Sequence, residues 1–156
     1  MELFDIPRKE IPSRYSLEKS GVLVEDYWGK GCGYRDILDK NIAKRVLKYL
    51  PSTTFTKNLD DADVDIRYIT YNVKNSYTID YHNDYCAATL IIYMYKDPDM
   101  IDRFYVDGNK VEGQWKCSSL SSPYKALLFN GYKEHGGVLV GDGVRNVLVI
   151  HFDSSY

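Results

Sequence analysis

From residue 64 onward the sequence breaks into eight short β-like segments separated by turn residues, and that number restricts the chain to a closed or sandwiched sheet. The segments are 64–71, 77–82, 87–95, 103–106, 114–118, 124–129, 135–140 and 145–152. Each is rich in branched and aromatic side chains that suit a pleated, half-buried surface. Asp107-Gly108-Asn109 and Gly141-Asp142-Gly143 are the sharpest turns, and the second joins the last two segments as a hairpin. Tyrosine dominates the aromatics, with 15 residues against five Phe and two Trp, and an amphipathic ring fits strands that line a polar pocket.

The chain upstream reads differently. A β-like run over 21–28 is broken by Gly29, Gly31 and Gly33. Ile37, Leu38, Ile42, Val46, Leu47 and Leu50 then recur at helical spacing, which predicts an amphipathic helix that stops at Pro51 and lies on the sheet. The expected organisation is a single domain, with an N-terminal strand and supporting helix over 1–63 and an eight-stranded barrel core over 64–153.

Charge and composition narrow the function. Lys and Arg (20) nearly balance Asp and Glu (22), and no basic block runs along the chain. Broad electrostatic binding to nucleic acid or anionic lipid is therefore not expected. No apolar run approaches the roughly 18 residues of a membrane span, and residues 1–10 carry charges where a signal peptide needs an apolar stretch. An intracellular, cytoplasmic protein is the expectation. Cys32, Cys86 and Cys117 are odd in number and lack metal-ligand spacing, so free thiols are expected rather than a disulfide framework.

The chemistry concentrates on few residues. The chain has three histidines, His82, His135 and His151. His82 and Asp84 end a predicted strand two places apart, so their side chains can converge on one point. His135 opens a later strand. Two imidazoles and one carboxylate form the facial triad that binds non-haem Fe(II) and leaves coordination positions free. Arg145 lies on the next strand across a tight turn, where a guanidinium can clamp a carboxylate beside the metal. Strand alternation places Arg145, Val147, Val149 and His151 on one face, directed into the barrel and lining the pocket.

Tyr81-His82-Asn83-Asp84 with the following apolar strand 88–95, the run 128–137 around His135, and the run 143–153 around Arg145 together resemble the Fe(II)/2-oxoglutarate-dependent oxygenases. The resemblance is nearest to the prolyl and lysyl hydroxylase branch and covers residues 21–153. It implies a mainly β fold, the double-stranded β-helix or cupin-like jelly-roll barrel backed by an N-terminal helix. It also implies His82, Asp84 and His135 as iron ligands, and Arg145 as partner of the distal carboxylate of 2-oxoglutarate. Tyr71 and Tyr93 match positions where the family sets a phenol against that carboxylate. The metal centre itself would be catalytic, with ascorbate as a reductant. Asp84 separates the chain from related halogenases, which place Gly or Ala there.

The expected function is hydroxylation of a prolyl or lysyl side chain in a protein or peptide, with release of succinate and CO2. Two alternatives stand beside it. A nucleic-acid demethylase on the same fold is disfavoured by the acidic balance and by His151, where demethylases carry a second Arg. A non-catalytic metal-binding barrel is the other. Loops over 72–76 and 97–123 are expected to recognise substrate, with Lys74, Asp97, Asp99 and Asp102 as contact candidates. Tyr85 and Trp115 are candidates for the cavity mouth, and Cys86 is read as packing. Oligomeric state is left open.

Overall fold

A computed structural model describes residues 1–24, 31–115 and 122–153. Its elements are β1 (Glu2–Ile6), α1 (Arg14–Ser20), β2 (Val22–Val24), β3 (Cys32–Asp36), α2 (Asn41–Val46), β4 (Asp63–Val73), β5 (Ser76–His82) and β6 (Ala88–Lys96). Then follow β7 (Ile101–Val106), β8 (Asn109–Lys110), β9 (Tyr124–Phe129), β10 (His135–Val140) and β11 (Gly143–Asp153). Short 3-10 turns fill several of the connections.

Two antiparallel sheets face each other. The larger has the order β1-β9-β6-β11-β4-β3-β2 and the smaller β5-β10-β7-β8. Strands β4 to β11 thus form a barrel in which the first and last are partners and, apart from the β7–β8 hairpin, successive strands pass between sheets. This is the double-stranded β-helix, a jelly-roll barrel of cupin type.

Both faces of the larger sheet are covered, which explains why β6 is apolar almost throughout rather than alternating. Ile69, Tyr71, Ile91, Leu127, Val147 and Val149 point into the barrel with Phe104 and Leu139 of the smaller sheet. Ile66, Leu90, Leu128, Leu148 and Ile150 point the other way, onto Ile6, Leu17, Ile42 and Val46. Each such side chain contributes about 1.5–3 kcal/mol on full burial.

Several expectations are revised here. The predicted 37–50 helix is only Asn41–Val46, continued by a 3-10 turn over Leu47–Tyr49. Residues ahead of it are drawn into strand β3 because the open edge of β4 offers them a ladder from Cys32↔Tyr71 to Asp36↔Arg67. Gly31 enters that strand at φ 107°, with the carbonyl of Asn72 3.0 Å from where a Cβ would stand. The capped helix α1, with Ser13 Oγ accepting from Ser16 N–H at 3.1 Å, was not anticipated. Nor was β1, which pairs with β9. Of the predicted 21–28 run, Val22–Val24 is strand and 25–28 lies outside the described residues. The predicted 114–118 strand is also replaced. Its described part is a turn, and the fifth barrel strand is the two-residue β8.

Candidate metal centre

β5 and β10 bring two of the expected ligands together. His135 stands directly opposite His82 in the ladder, and the register then slips so that Gly137 faces Ile79. Directly opposed residues of an antiparallel pair project from the same side, and the two rings lie with centroids 4.3 Å apart. Asp84, just past the end of β5, donates its backbone N–H to Gly131 O at 2.8 Å. That bond swings its carboxylate between the two rings. His82 Nε2 is 3.4 Å from Asp84 Oδ1, and His135 Nε2 is 3.2 Å from Asp84 Oδ2.

The opposite ring nitrogens decide what this cluster can do. His82 Nδ1 lies 2.7 Å from Asp80 O, and His135 Nδ1 lies 2.9 Å from Lys133 O. A carbonyl only accepts, so each Nδ1 carries a proton and donates. Each Nε2 is left to present a lone pair towards the Asp84 carboxylate. Lone pairs facing a carboxylate at this range repel unless a proton or metal cation lies between them. The ligand atoms of His82, Asp84 and His135 all fall within 4.8 Å of one another, so the group can hold a metal ion. Buried Thr89, not anticipated from sequence, donates its hydroxyl to Asp84 Oδ2 at 2.7 Å and fixes the carboxylate.

His151 joins the cluster from β11. Its Nε2 is 3.4 Å from Asp84 Oδ2 and its Nδ1 3.6 Å from Asp65 Oδ2. Burial disfavours its charged form, but the bonds to Asp65 and Asp84 outweigh that and push its pKa up to about 9. Burial also works against ionised Asp84, and the three imidazoles, when each carries the proton between Nε2 and the carboxylate, override it and hold that carboxyl far below the usual range.

The triad opens into a cavity of about 720 Å³ whose wall includes Arg145, Tyr71, Val147, Val149 and His151. Arg145 is buried, and its Nε donates to Asp102 Oδ2 at 2.8 Å. Burial opposes its charge, yet Asp102 raises its pKa above even the ordinary value. The Tyr71 ring lies under the guanidinium, 5.0 Å from centroid to Cζ. Tyr93 departs from expectation. Its ring centroid is 5.9 Å from the guanidinium, it packs edge-on against Trp115, and it is not part of the cavity wall.

Other expected contacts are redistributed. Asp102 is no solvated loop residue, since its side chain is 1% exposed on β7. Asp97 anchors β11 by accepting from Val144 N–H at 2.8 Å. Lys74 and Asp99 are exposed and away from the cavity, and Trp115 lies behind Arg145 rather than at the mouth. Among the described residues of 97–123, Phe104 alone reaches the cavity. Its outer wall is built instead from the start of β4 and the 83–86 segment, including Tyr85. Cys86 is buried there, with burial pushing its thiol up to about 11. Cys117 lies outside the described residues.

Fold and site together define a double-stranded β-helix barrel with a His-Asp-His group that can bind a metal. No protein-family model matches the chain, and no curated protein matches it. Among solved structures it is similar to a cupin superfamily protein from Desulfitobacterium hafniense DCB-2, with 14% identity, 99% of this chain and 100% of that one covered, and a TM-score of 0.46. It is also similar to KdgF from Halomonas sp., with 10% identity, coverage of 85% and 93%, and a TM-score of 0.44. A third is IDO from Bacillus thuringiensis, with 14% identity, 76% of this chain and 58% of that one covered, and a TM-score of 0.46. The fold assignment rests on strand order, and no helix among the described residues is long and apolar enough to cross a membrane.

Proposed function

We propose that this protein is an Fe(II)- and 2-oxoglutarate-dependent dioxygenase that hydroxylates a side chain of a protein or peptide. The observation that carries the reading is the donor set. Two histidines have their Nδ1 protons committed to backbone carbonyls, so both Nε2 lone pairs converge with Asp84 on one point. That is the arrangement a facial Fe(II) site needs. When bound, the iron and 2-oxoglutarate would supply oxygen activation, with one oxygen atom going to the hydroxylated side chain and the other to succinate as CO2 leaves.

The chain's own residues do the rest. His82, Asp84 and His135 would hold the iron, and Thr89 keeps the carboxylate turned towards it. Arg145 offers its terminal nitrogens to the distal carboxylate of 2-oxoglutarate. Burial holds the Tyr71 hydroxyl protonated, so beside Arg145 it can act as a donor. Phe104, Val147 and Val149 form an apolar wall that keeps water out.

The cavity also favours one substrate class. Asp63, Asp65, Asp80 and Asp153 line it, against Arg67, Arg145 and His151. A cationic lysyl side chain gains from that field, whereas a phosphate backbone is repelled, which counts against the demethylase reading. One observation favours a second reading, a metal-binding barrel that uses no 2-oxoglutarate. Arg145 already has an internal counter-ion in Asp102.

Anaerobic titration with Fe(II) and 2-oxoglutarate separates the two. The expected result is a weak visible charge-transfer band that needs both additions and is lost in His135→Ala. Metal binding with no response to 2-oxoglutarate would leave only the second reading. Succinate release stimulated by lysyl over prolyl peptides tests the substrate class.

A further inference from the structure

The group behind Arg145 is as closely built as the one in front of it. Asp102 on β7 and Arg145 on β11 belong to opposite sheets, and their bond crosses the barrel interior. Asp102 Oδ2 accepts twice, from Arg145 Nε at 2.8 Å and from Trp115 Nε1 at 2.8 Å. The ion pair is almost wholly enclosed, with side-chain exposures of 2% and 1%. Trp115 also packs edge-on against Tyr93 at 5.1 Å, and Tyr93 in turn flanks the guanidinium. Asp102, Tyr93 and Trp115 are all absent from the cavity wall, whereas Arg145 is part of it.

A guanidinium has five N–H donors in one plane. Asp102 occupies Nε from behind through a single oxygen. That fixes the plane and keeps the two terminal nitrogens, the edge a carboxylate grips bidentately, free of Asp102. We propose that Asp102 is the positioning residue for the acid-binding seat: it sets the orientation of Arg145 and links that seat to Trp115 in the segment after β8. The inference rests on the reading of Arg145 as the partner of 2-oxoglutarate.

Orientation and charge make opposite demands on Asp102, and substitutions separate them. Asp102→Asn keeps an oxygen that can accept from both Arg145 and Trp115, and it places an amide where Oδ1 now has no partner. It also removes a negative charge that competes with an incoming anion. Asp102→Ala removes the acceptor altogether. Trp115→Phe removes one donor and the indole fluorophore while keeping an aromatic ring against Tyr93.

The experiment is a binding titration of the full chain with 2-oxoglutarate in the presence of Mn(II) and without turnover, read by tryptophan emission and by a thermal shift. In wild type, 2-oxoglutarate is expected to change Trp115 emission, because an anion on Arg145 alters the charge that the shared Asp102 oxygen faces. Trp115→Phe should abolish the change, the other tryptophan, Trp28, serving as background. Asp102→Asn should bind at least as tightly as wild type, and Asp102→Ala at least about tenfold more weakly.

Folded Asp102→Ala that binds within threefold of wild type would overturn the inference, as would Asp102→Asn failing as badly as the alanine variant. Wild type that takes Mn(II) but shows no response to 2-oxoglutarate in either readout overturns the cosubstrate reading itself, and this inference with it.

Discussion

At the residue scale, the His82, Asp84 and His135 group that can hold a metal is legible in the sequence because its geometry is nearly local. His82 and Asp84 are fixed by a two-residue spacing, and His135 and Arg145 by the hairpin that separates them. Thr89 and Asp102 are not legible, because their roles depend on which atoms lie across the fold. A Thr inside an apolar run and an Asp near the start of a six-residue strand carry no local mark. Thr89 provides the test. Thr89→Val keeps shape and burial but deletes the hydroxyl that holds Asp84 Oδ2 at 2.7 Å. Metal affinity should fall about 10–100-fold, as for other outer-shell partners. Thermal stability should fall by about 1 kcal/mol. Metal titration by calorimetry and melting curves check the two separately, and an unchanged metal affinity would remove Thr89 from the centre.

At the element scale, the long alternating strands are readable and the short ones are not. β9 and β10 have the predicted bounds, 124–129 and 135–140. β3 and β8 exist because a neighbour's edge is open, which is a tertiary cause. Gly137 marks the tightest inter-strand approach. A Cβ there would stand 1.9 Å from Arg103 O. Gly137→Ala should therefore force β7 from β10 and destabilise the barrel by more than about 3 kcal/mol, seen as loss of soluble protein or a sharply lowered melting point.

Asp97 gives an element-scale pH effect. The Tyr95 hydroxyl first, and Val144 N–H second, hold its carboxyl below the usual range. A depressed folded pKa stabilises the protein above the unfolded value of about 3.9, and that contribution is lost as pH falls through the folded value. Asp97→Asn should thus be less stable than wild type at neutral pH. The gap between the two melting points should narrow below about pH 4.

At the scale of the whole molecule, a metal bound only by the folded barrel must stabilise it. Mn(II) at about 100 times its Kd should add about 2.7 kcal/mol and raise the melting point by about 5–10 °C. A chelator should reverse the shift, and Asp84→Ala should abolish it. A wild-type melting curve indifferent to Mn(II), Fe(II) and Zn(II) would contradict the metal assignment.

The pairing of the first and last barrel strands has a kinetic consequence. Asp63 faces Asp153 and Tyr71 faces Arg145, so the seam of the barrel joins positions about seventy to ninety residues apart in the chain. Closing so long a loop costs entropy before any contact rewards it, so folding is expected to be slow. The cavity's two ends come from the same seam: Arg145 and His151 on β11, Tyr71 and Asp65 on β4. An intermediate with the β5–β10 pair formed could already set His82 against His135, yet it would lack the seat for an acid. Under the proposed function, metal capture during refolding can therefore precede acid capture, so that the two events report successive stages of closure.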